Sequence, residues 1–451
     1  MVVEEINGRD PGRDELFSKT VAESAVKSCA RIFDVGDYIP GQVIYNLGEY
    51  PAGFSIAPTE YDAELIKSLA ARGVGLIQIH EEWNDSMRRL GADKYTSHDP
   101  EGLRKFIDLC HANGIKIIPY VSTGFFDTRD PDFRECFSPR SRIDLNSSYY
   151  RYRMCDPASP QWRNYVIPKI MGILDEYDFD GIFNDMGFPV DYVENSEGYM
   201  AYDPYLDEML TELYAKVKSR GGIVKIHEGK CLCPKTSARA YDYLWVGEGV
   251  SGLDSLLSTA AFEPYMVPCP DFRFMSAEEE NAFYANAITF MQFVLRVDGR
   301  PVTGERIDVP GVEYIYNPQN DEKKHFDNVK RWYESHPNGP HVYSEWSSIP
   351  DDPQARGKWF YYLDLYRPMV TRGSRVYMDI KESSLFIGEL PKGAHATLYV
   401  NERKYLCVSN LSRGSVEIAL SERWYDRESG EPVRSFSLGY GEIRFLIGSE
   451  I

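Results

Sequence analysis

From about residue 40 to residue 300 the chain repeats one pattern. An amphipathic stretch gives way to a glycine or a short polar turn, and then to a brief apolar run that ends in polar residues. The first spacing is that of a helix with one buried face. The second is that of a strand buried on both sides. Helices are predicted over Glu60 to Arg72, Asp99 to Asn113, Trp162 to Tyr177 and Tyr202 to Arg220. Strands are predicted near 42–46, 74–80, 115–121, 180–185, 222–228, 243–247, 264–268 and 289–295. Helices alternating with strands imply right-handed βαβ units and a parallel sheet. Eight strands is the number that closes a (β/α)8 TIM barrel. No Gly-x-Gly-x-x-Gly follows a strand, which argues against a dinucleotide-binding sheet.

After residue 372 the pattern changes to short alternating runs separated by turns: Ser374 to Ile380, Ala396 to Val400, Tyr405 to Val408 and Val416 to Leu420. This predicts a C-terminal antiparallel β-sandwich over 373–451. The barrel with a linker helix (Trp359 to Arg367) is expected over 37–372. Residues 1–36 contain a helix-like stretch, Asp14 to Ile32, with no role assigned.

Composition narrows the class. In 451 residues, 43% apolar and 14% aromatic content describe a folded globular chain, and the net charge is −19. That charge argues against nucleic acid or an anionic membrane as partner, because their phosphates would be repelled. No run approaches the length of a membrane span. Met1 to Gly12 lacks the apolar core of a secretion signal, so a cytoplasmic location is expected. The eight cysteines are expected as reduced thiols, and Cys231-Leu232-Cys233 lacks zinc-site spacing. Nothing in the sequence fixes an oligomeric state.

The candidate chemistry lies at the strand ends. Phe179 to Met186 reads as a buried strand carrying Asp185 at its C-terminal end, where active sites of barrels sit. His80-Glu81-Glu82-Trp83 follows the second strand, Glu228 ends the fifth, Glu248 ends the sixth, and Asp271 follows the seventh. Unpaired buried carboxylates are costly, so such a ring of acids points to use. Two carboxyl groups flanking a scissile bond, one ionised and one protonated, are what glycoside hydrolysis requires. Asp185 is the candidate nucleophile, with Glu228 or Glu248 as the acid/base. Candidate substrate contacts are His80, Glu82, Trp83, Tyr120, Phe125, Asn184, Lys225, His227, Trp245, Asp271 and Arg296, the rings offering faces for sugar C–H groups. His80, His227 and Asp185 could alternatively form a metal site, but no His-x-His or further spaced His accompanies them, and neither metal nor cofactor is expected. No Gly-x-Ser-x-Gly elbow is present.

Two segments carry a family resemblance. Met154-Cys155-Asp156-Pro157-Ala158-Ser159-Pro160 with Trp162, followed by a helix and Phe179-Asp180-Gly181-Ile182-Phe183-Asn184-Asp185, resembles the fourth-strand region of barrel glycoside hydrolases. The groups concerned are the α-amylases, α-galactosidases, α-glucosidases and endo-α-N-acetylgalactosaminidases. Gly114 to Tyr120 is similar to their third strand. The resemblance implies a barrel followed by a small β-sandwich, and Asp185 as nucleophile. The acid/base falls at Glu228 by likeness to the amylase and endo-α-N-acetylgalactosaminidase groups. It falls at Glu248 by likeness to the galactosidases and glucosidases. Asp271 matches the third carboxylate of amylases in place but not in flanking motif. Ser122-Thr123-Gly124-Phe125 stands where amylases carry Asn-His, so the chain departs from a plain amylase. The expectation is a retaining glycoside hydrolase acting on an α-linked carbohydrate. The alternatives are a non-catalytic carbohydrate-binding barrel and a metal-dependent barrel hydrolase.

Overall fold

The computed structural model describes residues 3–5, 28–48, 55–84, 95–128, 130–140, 144–146, 151–185, 203–228, 239–246, 264, 266–270, 275–300, 353–381 and 384–448. Two strands open the chain, β1 (Val3–Glu5) and β2 (Cys29–Val35). The repeating region then supplies β3 (Gln42–Asn46), β4 (Leu76–Ile79) and β5 (Lys116–Ser122). A small excursion follows, made of β6 (Phe125–Asp127), β7 (Asp144–Asn146) and β8 (Arg151–Met154). The region ends with β9 (Gly181–Asp185), β10 (Ile223–Glu228), β11 (Tyr243–Val246), β12 (Met266–Pro268) and β13 (Arg296–Gly299).

Eight of these strands form one parallel sheet in the order β12-β11-β10-β9-β5-β4-β3-β13. The Leu295 N–H donates to the Pro268 carbonyl at 2.8 Å, a backbone bond between the two edge segments. Both faces of the sheet are buried. Ile44, Leu76, Ile118, Phe183, Tyr243, Val267, Leu295 and Val297 share one core. The alternate residues Val43, Ile77, Ile117, Ile182, Val224 and Leu244 pack beneath the helices.

Each helix begins where its sequence satisfies the free N–H groups of a first turn. Thr59 and Asp62 form a reciprocal capping box for α1 (Glu60–Ala71). Asp99 caps α2 (Pro100–Ala112), Ser159 caps α3 (Pro160–Tyr177), and Asp203 caps α4 (Pro204–Lys218). Ser276 and Glu279 form a second capping box for α5 (Ala277–Thr289). The first four match the predicted helices closely; α5 is not among the predicted ones.

The eighth strand departs from expectation. The apolar run 289–295 is not a strand: α5 continues to Thr289, the chain turns through Met291 at φ 52°, and the strand begins at Arg296. The reason is tertiary. The end of α5 is anchored to the second sheet, where Thr397 Oγ1 donates to the Thr289 carbonyl at 2.6 Å and Tyr399 bonds the Ile288 carbonyl.

That second sheet is antiparallel. It contains β14 (Arg375–Ile380), β15 (Ala394–Val400), β16 (Lys404–Asn410), β17 (Val416–Asp426), β18 (Pro432–Leu438) and β19 (Ile443–Ile447). Its order is β1-β2-β14-β15-β16-β19-β17-β18. One face (Val376, Met378, Tyr399, Cys407, Phe445) joins the core shared with α5 and α6 (Pro353–Tyr366). The other encloses its own core around Leu398, Leu406, Trp424 and Phe436. The helix-like reading of Asp14 to Ile32 is overturned at its end: residues 29–32 belong to β2, which pairs with β14. Alternating Ile32-Phe33-Asp34-Val35 suits a strand whose inward residues meet that core. The rest of the stretch lies outside the described residues. Among the described residues no helix is long and apolar enough to cross a membrane.

Candidate active site

The approach to β9 explains part of the motif before it reaches any chemistry. Asp180 Oδ2 accepts from the Ile117 N–H and lies 2.8 Å from His111 Nε2, so its carboxylate pins β9 beside β5. Gly181 has φ 150°, and a Cβ there would stand 2.0 Å from the Ile223 carbonyl oxygen. Only glycine lets β9 and β10 approach so closely. Upstream, Asp156 holds the Arg140 guanidinium, with Nη2 to Oδ1 at 2.7 Å, while Ser159 caps α3. The first Asp of the Asp-Gly segment and the Cys-Asp-Pro-Ala-Ser-Pro run are thus structural.

Asp185 is different. It ends β9 with both carboxylate oxygens engaged by side chains inside the sheet. Tyr120 Oη donates to Oδ2 at 2.6 Å, and His227 Nδ1 lies 2.5 Å from Oδ1. The register accounts for this. Ile226 pairs with Asn184 and His227 with Trp245. The next rung therefore sets Asp185, His227 and Trp245 side by side on one face. The rings of His227 and Trp245 meet edge-on at 4.2 Å.

The electrostatics follow. Burial opposes charge on Asp185, but the His227 imidazole, the Tyr120 hydroxyl and His80 outweigh it and lower the carboxyl below its ordinary value. Tyr120 is pushed well above its ordinary range by burial and by Asp185 and Glu81, so its phenol remains a donor. An ionised carboxylate in a largely dry site is the state a nucleophile needs. Each carboxylate oxygen also keeps a second lone-pair direction after one hydrogen bond.

A second cluster lies beside the first. His80 Nε2 is 3.1 Å from Gln78 Nε2, and its Nδ1 is 3.5 Å from Glu81 Oε2. The His80 ring lies 5.8 Å from that of Phe183. Deeper in the sheet, Lys225 is fully buried and donates to Gln42 Oε1 at 3.1 Å; burial pulls its amine down to about 7. Gln42, Gln78 and Glu81 are the buried polar side chains beside them. Gln42 and Gln78 are the residues the sequence reading passed over. Their signal was phase: each stands two or four positions from an inward residue on the same strand.

Several predicted contacts are placed elsewhere. Trp83 is completely buried beneath the helices, edge-on to Tyr177 and Phe179, and its indole N–H donates to the Tyr120 carbonyl. It braces β5 and offers no face to a ligand. Asn184 points away from Asp185, as alternation requires, and bonds Thr123 through both ends of its amide. Arg296 begins β13 between inward Leu295 and Val297, so it faces the helices and pairs with Asp298 at 3.1 Å. Glu82 is buried in the short turn Glu81–Trp83. Phe125 lies on β6 with its ring 6.2 Å from that of Tyr152. Glu228 ends β10 opposite Val246. Its side chain, Glu248, Asp271 and the Cys231–Cys233 pair lie outside the described residues. Among the described residues, no group of three or more His, Cys, Asp or Glu side chains is arranged to hold a metal ion.

The fold is similar to that of known α-amylases. A putative α-amylase from Salmonella typhimurium is similar over 92% of this chain and 83% of its own, with TM-score 0.52 and 14% identity. An α-amylase from Geobacillus thermoleovorans, solved with acarbose, matches 91% of this chain and 99% of its own at TM-score 0.51 and 9% identity. A maltogenic α-amylase from Thermotoga neapolitana matches 91% and 99% at TM-score 0.50 and 11% identity. No protein-family profile and no curated protein sequence matches the chain.

Proposed function

We propose that this protein is a glycoside hydrolase that cleaves an α-linked glycoside with retention. The observation that carries the reading is Asp185: a charged carboxylate at the C-terminal end of a parallel strand, gripped by Tyr120 and His227. The fold likeness to α-amylases supports it, since fold narrows the chemistry without assigning it. We take the parallel sheet to close as a (β/α)8 barrel through the Leu295–Pro268 bond. The antiparallel strands, with two buried faces, then form the sandwich that follows it.

In the proposed reaction an Asp185 oxygen attacks the anomeric carbon, and the glycosidic C–O bond breaks. The departing oxygen takes a proton from Glu228 or Glu248. The same carboxylate, now charged, removes a proton from water. That water attacks the anomeric carbon, the ester to Asp185 breaks, and both residues return to their starting states. Tyr120 and His227 hold the nucleophile in line and ionised. In this reading His80 lies beside the bound sugar, and buried Trp245 backs His227 edge-on.

A second reading is favoured by the same short contacts. If both Asp185 oxygens are held for structure alone, the protein binds carbohydrate without cleaving it. A panel of aryl α- and β-glycosides, with wild type and Asp185→Asn assayed together, separates the two. Turnover of an α-glycoside by wild type, abolished in the variant, is expected. Equal activity of the two proteins would remove Asp185 from the chemistry. Sugar binding without turnover in either would establish the second reading.

A further inference from the structure

The opposite end of the parallel sheet carries a cavity of about 470 Å³, lined by the starts of β5, β10 and β11 and by the segment after α6. It is separated from Asp185 by the length of β5, about 20 Å at the rise of an extended strand. Its volume lies within the range of small-molecule sites, about 300–1,000 Å³.

The charge of this cavity is opposite to that of the chain. The protein carries a net charge of −19, yet four of the residues around this cavity are cations: Lys116, Lys218, Arg367 and Arg372. Two of them are neutralised in place. Lys218 Nζ binds Asp242 Oδ2 at 2.9 Å, and Arg372 Nη1 binds Asp37 Oδ1 at 2.8 Å. Lys116 and Arg367 have no acidic partner among the described residues. Arg367 is set down against the turn before β4: a Cβ on Gly73 would lie 2.4 Å from its Nη1. On the inner side stands half-buried Tyr38, backed by fully buried Tyr243 with ring centroids 6.3 Å apart.

We propose that this cavity binds a phosphate monoester carried on a flat ring. Two uncompensated cations match a dianion, and a phosphate monoester carries about −1.5 to −2 near neutral pH. The forked guanidinium suits phosphate oxygens, while the ammonium serves as a point charge. Half-buried Tyr38 receives the ring, and enclosed Tyr243 supports it from behind. Such a ligand occupies the end of the sheet away from Asp185, so it regulates or stabilises the protein and does not compete with substrate.

The test is isothermal titration of the full-length protein with phenyl phosphate, with phenol and inorganic phosphate as controls. Saturable binding of phenyl phosphate is expected, weaker binding of inorganic phosphate, and none of phenol. Lys116→Gln and Arg367→Gln each remove one charged contact and are expected to weaken binding about tenfold, the pair about a hundredfold. Both side chains are exposed, so unchanged melting temperatures should accompany the loss. Undiminished binding in the variants would overturn the proposal. So would equal affinity for phenol or for inorganic phosphate, or no saturable binding of the ester below about 10 mM, a free energy weaker than about 3 kcal/mol.

Discussion

His227 Nδ1 and Asp185 Oδ1 stand 2.5 Å apart across two adjacent parallel strands. The contact exists because Gly181, at the other end of β9, lets that strand lie against β10. It sets a ring nitrogen directly against the Asp185 carboxylate. Replacing Asp185 by Asn keeps the shape and an oxygen acceptor but removes the nucleophile. The expected outcome is a loss of kcat on an aryl α-glycoside on the order of 10⁶-fold, the size of the loss when a covalent nucleophile is removed. Some loss of melting temperature should accompany it, because the charged partner of Tyr120 and His227 is removed, so activity is compared on folded protein. A variant with more than about a tenth of wild-type kcat would contradict the assignment.

Tyr120 acts through Asp185 and is a positioning residue. Its hydroxyl helps hold the carboxyl below its ordinary value, so Tyr120→Phe should raise it. A hydrogen bond to a charged group contributes roughly 1.5–3 kcal/mol. The acidic limb of the kcat/KM profile should therefore move to higher pH, with kcat at the plateau less affected. The linkage has the same sign for stability. A depressed carboxyl stabilises the fold above its unfolded value and loses that contribution as pH falls through the folded one. Tyr120→Phe should thus make acid unfolding begin at higher pH. An unmoved acidic limb would show that Tyr120 is only a packing residue.

The inward phase of the parallel strands was legible from the sequence at Asp185, His80, Tyr120, Lys225 and His227, because each stands two positions from another inward residue. Trp83, Asn184 and Arg296 were misplaced for one physical reason. Strands buried on both faces present the same apolar run to either side, so proximity to a strand end does not say which face a neighbour takes. Asn184 and Asp185 are adjacent, yet one binds a loop outside the sheet and the other lines its interior. The β2 strand was hidden differently. Its partner β14 lies more than three hundred residues away, and local pattern carries no trace of so distant a pairing. The eighth strand was displaced because bonds from the second sheet keep α5 helical to Thr289.

Lys225 is expected to be a burden on stability that depends on pH. Burial holds its amine at about 7, against an ordinary 10.5. Below about pH 7 both folded and unfolded states carry the proton, and the folded state bears the full desolvation cost, on the order of 5 kcal/mol. Between the two values the folded state sheds the proton while the unfolded state keeps it, so stability rises with pH. Lys225→Met should therefore stabilise the protein near pH 6 and progressively less toward pH 9 or so. Loss of the bond to Gln42 subtracts about 1 kcal/mol at every pH. Urea midpoints at the two pH values decide it. A gain that is independent of pH, or a loss at the lower pH, would mean that the amine is not held as the geometry implies.

Gly181 offers the most direct link between backbone and site. At φ 150° it occupies a region open essentially to glycine alone, and an added Cβ meets backbone atoms of Ile223, with the carbonyl oxygen at 2.0 Å and the nitrogen at 2.4 Å. No side-chain rotation can relieve that contact, so β9 and β10 must separate. Gly181→Ala is expected to destabilise the fold by more than about 3 kcal/mol and to reduce turnover in the surviving folded fraction, because Asp185 and His227 sit on those two strands. Gly172→Ala is the control. It lies within α3 with open space around it, and replacing a helical glycine there should stabilise by about 0.5–1 kcal/mol. Chemical denaturation of both variants, with activity measured well below the midpoint, distinguishes the two effects. A Gly181→Ala protein as stable and as active as wild type would show that the strands tolerate separation, and that the short His227–Asp185 contact is not what orders the site.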